Sequence, residues 1–177
     1  LRSLHAAGFG AVSSVTLSYA FTRQGPSSEM DEPFDLYDLR FDDILDYLEE
    51  LGDRLDINKN EHMQRSRDLT YDATPLPREI IDMGYNGFGS FFERNKMRQI
   101  AEKSVGLDYL EGWVEHKLID GVIIKIRAFG SRTLHIVAGN GPGLGLITLA
   151  RCALTRCDCI IKAPSNDPFT SAALALT

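Results

Sequence analysis

The chain has 177 residues, which is the length of one ordinary domain or of a part of a larger protein. Its apolar share of 44% is enough for a packed core and excludes disorder over the whole chain. The net charge of −6 provides no electrostatic footprint for nucleic acid, so we expect no nucleic-acid partner.

Residues 1–33 are predicted to form a leader and linker whose structure the composition does not define. Because the chain begins with Leu1 rather than Met, we expect a fragment or a processed chain. Residues 4–21 are mildly apolar, but polar side chains interrupt them, so they fit neither a signal peptide nor a membrane span. Residues 23–33 have the composition of a linker.

Residues 34–120 are predicted to be mainly helical. Apolar residues recur at helical spacing over 41–51 and predict a helix that stops at Gly52. Residues 58–75 are polar and show no period, which predicts an irregular segment. A short helix is expected to begin at Pro77, because proline is favoured in a first helical turn.

Three glycines between residues 84 and 89 predict a loop after that short helix. The apolar residues over 88–101 and 107–118 then predict two further helices. Trp113 lies on the predicted inner side of the last one, so we interpret it as a core anchor rather than a ligand contact.

The hydrophobic period changes at Gly121, and residues 121–177 predict the start of an α/β nucleotide-binding domain. Apolar runs at 122–126 and 133–137 predict strands. The second strand leads into a glycine-rich turn and an amphipathic helix, and a further strand then ends at Lys162. This is a βαβ-like unit.

The turn does not match the dinucleotide-binding fingerprint, which needs glycine at its first, third and sixth positions. Counted from Gly139, the sixth position is Leu144. Pro142 also removes one backbone N–H from a phosphate cradle. We therefore do not expect an ordinary pyrophosphate grip here.

Asn140 and Lys162 both lie at carboxyl ends of predicted strands, where open α/β sheets bind ligands. The amide of Asn140 could donate to a developing oxyanion, or it could satisfy the backbone of the turn. The Lys162 ammonium could hold a nucleotide ribose or phosphate, or it could be a solvated strand end. Ser165 and Thr170 are expected to cap the last helix, residues 169–177.

The three cysteines, Cys152, Cys157 and Cys159, lie within eight residues. Their odd number and the absence of an Asn-x-Ser/Thr sequon argue against a disulfide-stapled secreted domain, so a cytoplasmic location is expected. A zinc site would need a further ligand at suitable spacing, and none lies nearby in sequence. We therefore predict no metal and interpret the cysteines as small apolar residues.

Together these residues resemble the acyl-CoA reductase family, the LuxC-type fatty-acyl reductases of the aldehyde dehydrogenase superfamily. The resemblance begins with His-Ile-Val-Ala-Gly-Asn-Gly-Pro at 135–142. Lys162 follows 22 residues after Asn140, and Asp167-Pro168 comes next. The front half adds these matches: Leu-Gly-Asp-Arg-Leu at 51–55, Leu110-x-x-Trp113, and Arg127-Ala-Phe-Gly130. The resemblance runs over most of 36–177 and does not include the first 33 residues.

The resemblance implies an aldehyde-dehydrogenase-like fold, in which a helical N-terminal region leads into an incomplete Rossmann-like cofactor domain. Asn140 matches the asparagine that binds the thioester or hemithioacetal oxygen. Lys162 matches the lysine that contacts the adenosine ribose, and Pro164 lies in the same cofactor-binding segment. Ser165 stands where many NAD-preferring relatives have a glutamate, so a 2′-phosphate meets no repulsion and NADPH is admissible, with NADH possible.

In such enzymes a cysteine attacks an acyl-CoA or acyl-protein thioester, and hydride reduces the resulting acyl-enzyme to an aldehyde. The nucleophile is expected well downstream of Lys162, and the cysteines at 152–159 do not match it. We therefore expect this chain alone to be inactive.

The family also implies partners: an acyl-activating ligase, an acyl transferase and, at full length, further copies of the same protein. Two alternatives to a reductase remain open at this point. The first is a fragment of a generic NAD(P)-dependent aldehyde dehydrogenase, and the second is a non-catalytic assembly module.

Overall fold

The computed structural model describes residues 15–16, 39–139 and 141–177. Its strands are β1 (Val15–Thr16), β2 (Val114–Lys117), β3 (Ile123–Ile126), β4 (Thr133–Ile136) and β5 (Cys159–Lys162). Its helices are α1 (Phe41–Arg54), α2 (Glu61–Ala73), α3 (Arg78–Phe91), α4 (Arg94–Ser104), α5 (Leu107–Glu111), α6 (Leu144–Leu154) and α7 (Thr170–Leu176). No helix in these described ranges is long and apolar enough to cross a membrane.

Helices α1 to α5, residues 41–111, form the helical layer. The predicted first helix is confirmed, and its periodic apolar side chains are buried against α3, α4 and α6. Asp42 and Asp43 lie in its first turn, where negative charge interacts favourably with the helix dipole. The interior of the layer is largely apolar, with Ile44, Phe92 and Met97 almost fully buried.

The prediction of an irregular segment over 58–75 is wrong, because α2 occupies most of it. The side chain of Asn60 caps this helix by accepting from the N–H of Met63 at 3.0 Å. The buried face of the helix consists of Met63, Ser66 and Thr70. Two of the three are small polar residues, so the inward face leaves no hydrophobic period in the sequence.

The loop predicted over residues 84–89 is also wrong, since these glycines lie inside α3. Gly52 likewise does not stop α1, which continues to Arg54. Gly52 and Gly89 face each other where the two helices touch, and a Cβ on Gly52 would lie 2.8 Å from the Gly89 carbonyl oxygen. These glycines allow the two helices to approach closely. The single helix expected over 88–101 is instead divided between the end of α3 and the start of α4.

The helix predicted over 107–118 ends after one turn, at Glu111. The chain then forms an antiparallel hairpin, β2 with β3, in which Val114 pairs with Ile126. Trp113 is 58% exposed and makes an edge-to-face ring contact with Phe129, so its prediction as a core anchor is wrong.

The elements β4, α6, β5 and α7, residues 133–177, form the α/β unit. Strand β4 pairs in parallel with β5, whose other edge pairs antiparallel with β1. The mixture of helices and small sheets is an α/β fold, as expected. Arg156 is buried and joins the unit to the helical layer, because its guanidinium donates to the carbonyls of Leu39 and Leu110.

Candidate functional site

The carboxyl ends of β4 and β5 lie side by side. Ile136 pairs with Lys162, and the N–H of Val137 donates to the carbonyl of Lys162 at 3.1 Å. The glycine turn at 138–143 and the loop at 163–168 therefore leave the sheet at the same edge, as the βαβ pattern predicts.

Asn140, the residue predicted to bind the substrate oxygen, lies outside the described residues. Its neighbours Gly139 and Gly141 are described and belong to the turn that follows β4. The role of Asn140 therefore stays a prediction.

Two residues of the 163–168 loop hold the glycine turn. Asn166 donates its side-chain N–H to the carbonyl of Gly139, and Asp167 accepts from the N–H of Gly143 at 3.0 Å. Gly143 has a φ of +79°, a conformation that costs glycine nothing, and a Cβ there would collide with the ring of Phe88. The loop at 163–168 thus holds the two ends of the turn, Gly139 and Gly143.

Asp167 also begins the last helix. Its Oδ1 accepts from both the N–H and the hydroxyl of Thr170. The expectation that the side chains of Ser165 and Thr170 cap this helix is therefore wrong. Ser165 is exposed, and the Asp167 carboxylate is the group that accepts from the N–H of Thr170. Burial raises the pKa of Asp167 above its usual 3.8, while the bonds from Thr170 and Gly143 oppose the rise.

A buried hydroxyl network links this aspartate to the helical layer. The hydroxyl of Tyr85 lies 2.7 Å from that of Ser66, 3.0 Å from that of Thr70 and 2.9 Å from that of Thr170. Burial raises the pKa of Tyr85, so its hydroxyl remains neutral. Sequence reasoning missed this network because hydrogen-bonded members lie up to 85 residues apart in the chain and none is unusual alone.

The three predicted cofactor contacts lie in the strand end and the loop. Lys162 and Ser165 are exposed, whereas Pro164 is buried. Across residues 39–139 and 141–177, no carboxylate lies within 4.0 Å of the Lys162 ammonium. A cation and a neutral hydroxyl are therefore presented together at this edge, which suits a ligand with hydroxyl or phosphate groups.

The turn itself offers few donors to an anion. Pro142 has no N–H, and the N–H of Gly143 already donates to Asp167. The residues present thus fit a nucleotide held through its ribose better than one held through its pyrophosphate at this turn, in agreement with the failed glycine spacing.

The family model for acyl-CoA reductase (LuxC) matches residues 36–177. The chain belongs to this family. The resemblance to this family that the sequence indicates is thereby confirmed. A long-chain acyl-protein thioester reductase of Photorhabdus laumondii is 33% identical over an alignment of 147 residues. The alignment covers 78% of this chain and 28% of that protein. The protein of the same name from Vibrio harveyi is 30% identical over 80% of this chain and 29% of its own length.

A shorter match has a higher sequence identity. The long-chain acyl-protein thioester reductase of Photobacterium phosphoreum is 48% identical over 44 residues, which are 25% of this chain and 9% of that protein. The chain therefore spans less than a third of the length of the relatives it matches. No solved structure matches it.

Proposed function

We propose that this chain is the N-terminal part of an NADPH-dependent acyl-thioester reductase. The enzyme forms a fatty aldehyde from an acyl-CoA or acyl-protein thioester through a cysteine acyl-enzyme, and this chain does not supply the nucleophile. The observation that carries the proposal is the family match over 36–177, supported by relatives named for reduction of long-chain acyl-protein thioesters. Those relatives favour reduction of a thioester over oxidation of an aldehyde.

On the substrate side, Asn140 donates its amide N–H to the oxygen of the reacting acyl group. The support is its place between two glycines of a turn that Asn166 and Asp167 hold at the sheet edge. A donor fixed before the reaction stabilises the developing negative charge without reorganisation, and one such donor is typically worth about 3 kcal/mol.

On the cofactor side, Lys162 binds the ribose hydroxyls of the nicotinamide nucleotide, beside Pro164 and Ser165. The cofactor supplies the hydride. Exposure of the Lys162 ammonium and the neutral side chain of Ser165 support NADPH as the cofactor, with NADH as the alternative. Residues 121–177 are then the start of a Rossmann-like domain.

The partners follow from the relatives' names. A protein that reduces acyl-protein thioesters receives its substrate from an acylated protein, which supports an acyl-activating ligase and an acyl transferase as partners. Association of full-length copies is supported by the β2–β3 hairpin, where Trp113, Ile119 and Ile123 are exposed.

The two site residues can be separated by kinetics in the full-length enzyme. We expect Asn140→Ala to lower kcat about 100-fold or more and to leave the dissociation constant of NADPH unchanged.

Lys162→Ala should instead raise the dissociation constant of NADPH, measured by fluorescence titration. Lys125→Ala is the matched control, because Lys125 is an exposed lysine that pairs with Glu115 away from this edge. Unchanged turnover in Asn140→Ala would reduce Asn140 to a turn residue, and unchanged NADPH binding in Lys162→Ala would remove the ribose contact.

A further inference from the structure

A second group of polar side chains lies on the buried side of the β4–β5 pair, at the amino end of β5. His135 comes from β4, Cys152 from α6 and Cys159 from β5. One ligand atom from each lies within 4.8 Å of the others, and His135 Nε2 is 3.3 Å from Cys152 Sγ. Sequence spacing does not reveal this group, because His135 lies 17 residues before Cys152 and 24 before Cys159, and the fold brings them together. The prediction of no metal stays a prediction.

The spacing of these three atoms suits one tetrahedral ion. Zn²⁺ binds thiolate sulfur at about 2.3 Å and imidazole nitrogen at about 2.0–2.1 Å, so ligand atoms around it lie roughly 3.5–3.8 Å apart. The observed separations need only small side-chain movements to reach this range. Three different elements supply the ligands, so an ion here would tie β4, α6 and β5 together.

The fourth coordination position has space. A cavity of about 380 Å³ is lined by His135, Cys152 and Cys157 on one side and by Ile100 and Val105 of the helical layer on the other. Cys159 is fully buried beneath it. Two cysteines and one histidine with an open position are a ligand set that proteins use for zinc with water as the fourth ligand.

Cys152 and Cys159 are both buried, free thiols. A bound metal ion replaces both protons, which leave to solvent as the two Sγ–metal bonds form.

We propose that His135, Cys152 and Cys159 bind one thiophilic divalent cation such as Zn²⁺, with the fourth position open to the cavity. The ion would stabilise the packing of α6 on the sheet. This proposal does not depend on the reductase activity.

Cobalt tests it directly, because thiolate-bound Co²⁺ gives a charge-transfer absorption band. The purified full chain, free of any tag and kept reduced by a phosphine, is titrated with CoCl₂ and then with ZnCl₂. We expect one cobalt per chain with the thiolate band, complete displacement by Zn²⁺, and a higher thermal unfolding temperature in Zn²⁺. Absence of the thiolate band in the wild-type chain would overturn the proposal.

Variants identify the ligands. Cys152→Ala and His135→Gln should each raise the dissociation constant of Co²⁺ by roughly 100-fold. Cys157→Ala is the matched control: this cysteine lines the same cavity and contacts Thr155, but it lies outside the ligand group. It should bind cobalt as the wild type does. Circular dichroism checks folding, and if Cys152→Ala does not fold, the half-buried His135→Gln variant decides. Cobalt binding unaltered by His135→Gln, or lost equally in Cys157→Ala, would contradict the assignment.

Discussion

The helical layer and the α/β unit are held together by different means. The helical layer has an interior of interlocking apolar side chains, such as Leu48 and Phe92. In the α/β unit, Leu134 and Ile136 on one face of β4 are 65% and 76% exposed, and the glycine turn keeps its shape through a few directional bonds from the 163–168 loop. A substitution at an apolar contact of the helical layer should therefore act through packing, and one at the glycine turn of the α/β unit through single hydrogen bonds.

Among the hydrogen-bonding side chains, the largest effect is expected for Asp167→Ala. The substitution leaves the buried N–H groups of Gly143 and Thr170 without their acceptor, so we expect a loss of about 3 kcal/mol in the free energy of unfolding. Asp158→Ala is the control, because its carboxylate only pairs with the exposed Arg132, and it should cost at most about 1 kcal/mol. Urea unfolding measures both, and equal losses would contradict the role of directional bonds.

The loss in Asp167→Ala should also depend on pH. Burial raises the pKa of Asp167 above 3.8, so the folded chain binds this proton more tightly than the unfolded chain does. The stability that this proton confers is fully present below 3.8 and is lost as the pH rises through the folded-state pKa. The difference in unfolding free energy between wild type and variant should therefore narrow as the pH rises from 3.8 through the raised folded-state pKa. If this difference in unfolding free energy instead widens with rising pH, the hydrogen bonds to the Asp167 carboxylate affect its pKa more than burial does.

The same contrast explains how much the sequence predicts. The strands at 122–126 and 133–137, the turn and the strand ending at Lys162 are local patterns, and the structure confirms them. Helix α2 escapes prediction because its buried face is largely polar, and the pairing of Asp167 with Gly143 escapes because 24 residues separate them. The grouping of His135 with two cysteines is likewise a property of the fold rather than of spacing.

A smaller effect is expected in the helical layer from Gly89→Ala. A Cβ there would lie 2.7 Å from the Gly52 carbonyl oxygen, so α1 and α3 must move apart. Such overpacking costs about 1–3 kcal/mol, and the better helix propensity of alanine returns up to about 1 kcal/mol. We expect a net loss of about 1–2 kcal/mol by thermal unfolding.

Gly87→Ala is the matched control for that substitution. Gly87 lies two residues earlier in the same helix and has no neighbour within 4 Å of its would-be Cβ. Only the helix propensity then changes, and the variant should be stabilised by about 0.5–1 kcal/mol. If Gly87→Ala and Gly89→Ala shift the unfolding temperature in the same direction, the close packing of α1 on α3 does not require glycine at position 89.

The smallest effect is expected at Trp113, which belongs to neither region. A tryptophan in a core would cost about 3–5 kcal/mol on replacement by alanine. Trp113 is mostly exposed, and its described ring contact is the edge of Phe129 at 5.9 Å between centroids. Such a pair is worth about 0.5–1.5 kcal/mol, so Trp113→Ala should lower the free energy of unfolding by no more than about 1 kcal/mol in the urea assay.

Phe92→Ala supplies the buried counterpart, since Phe92 is fully enclosed between helices and should show the larger core value. A loss at Trp113 as large as that at Phe92 would mean that the hairpin, despite its exposure, is stabilised by packing in the same way as the helical layer.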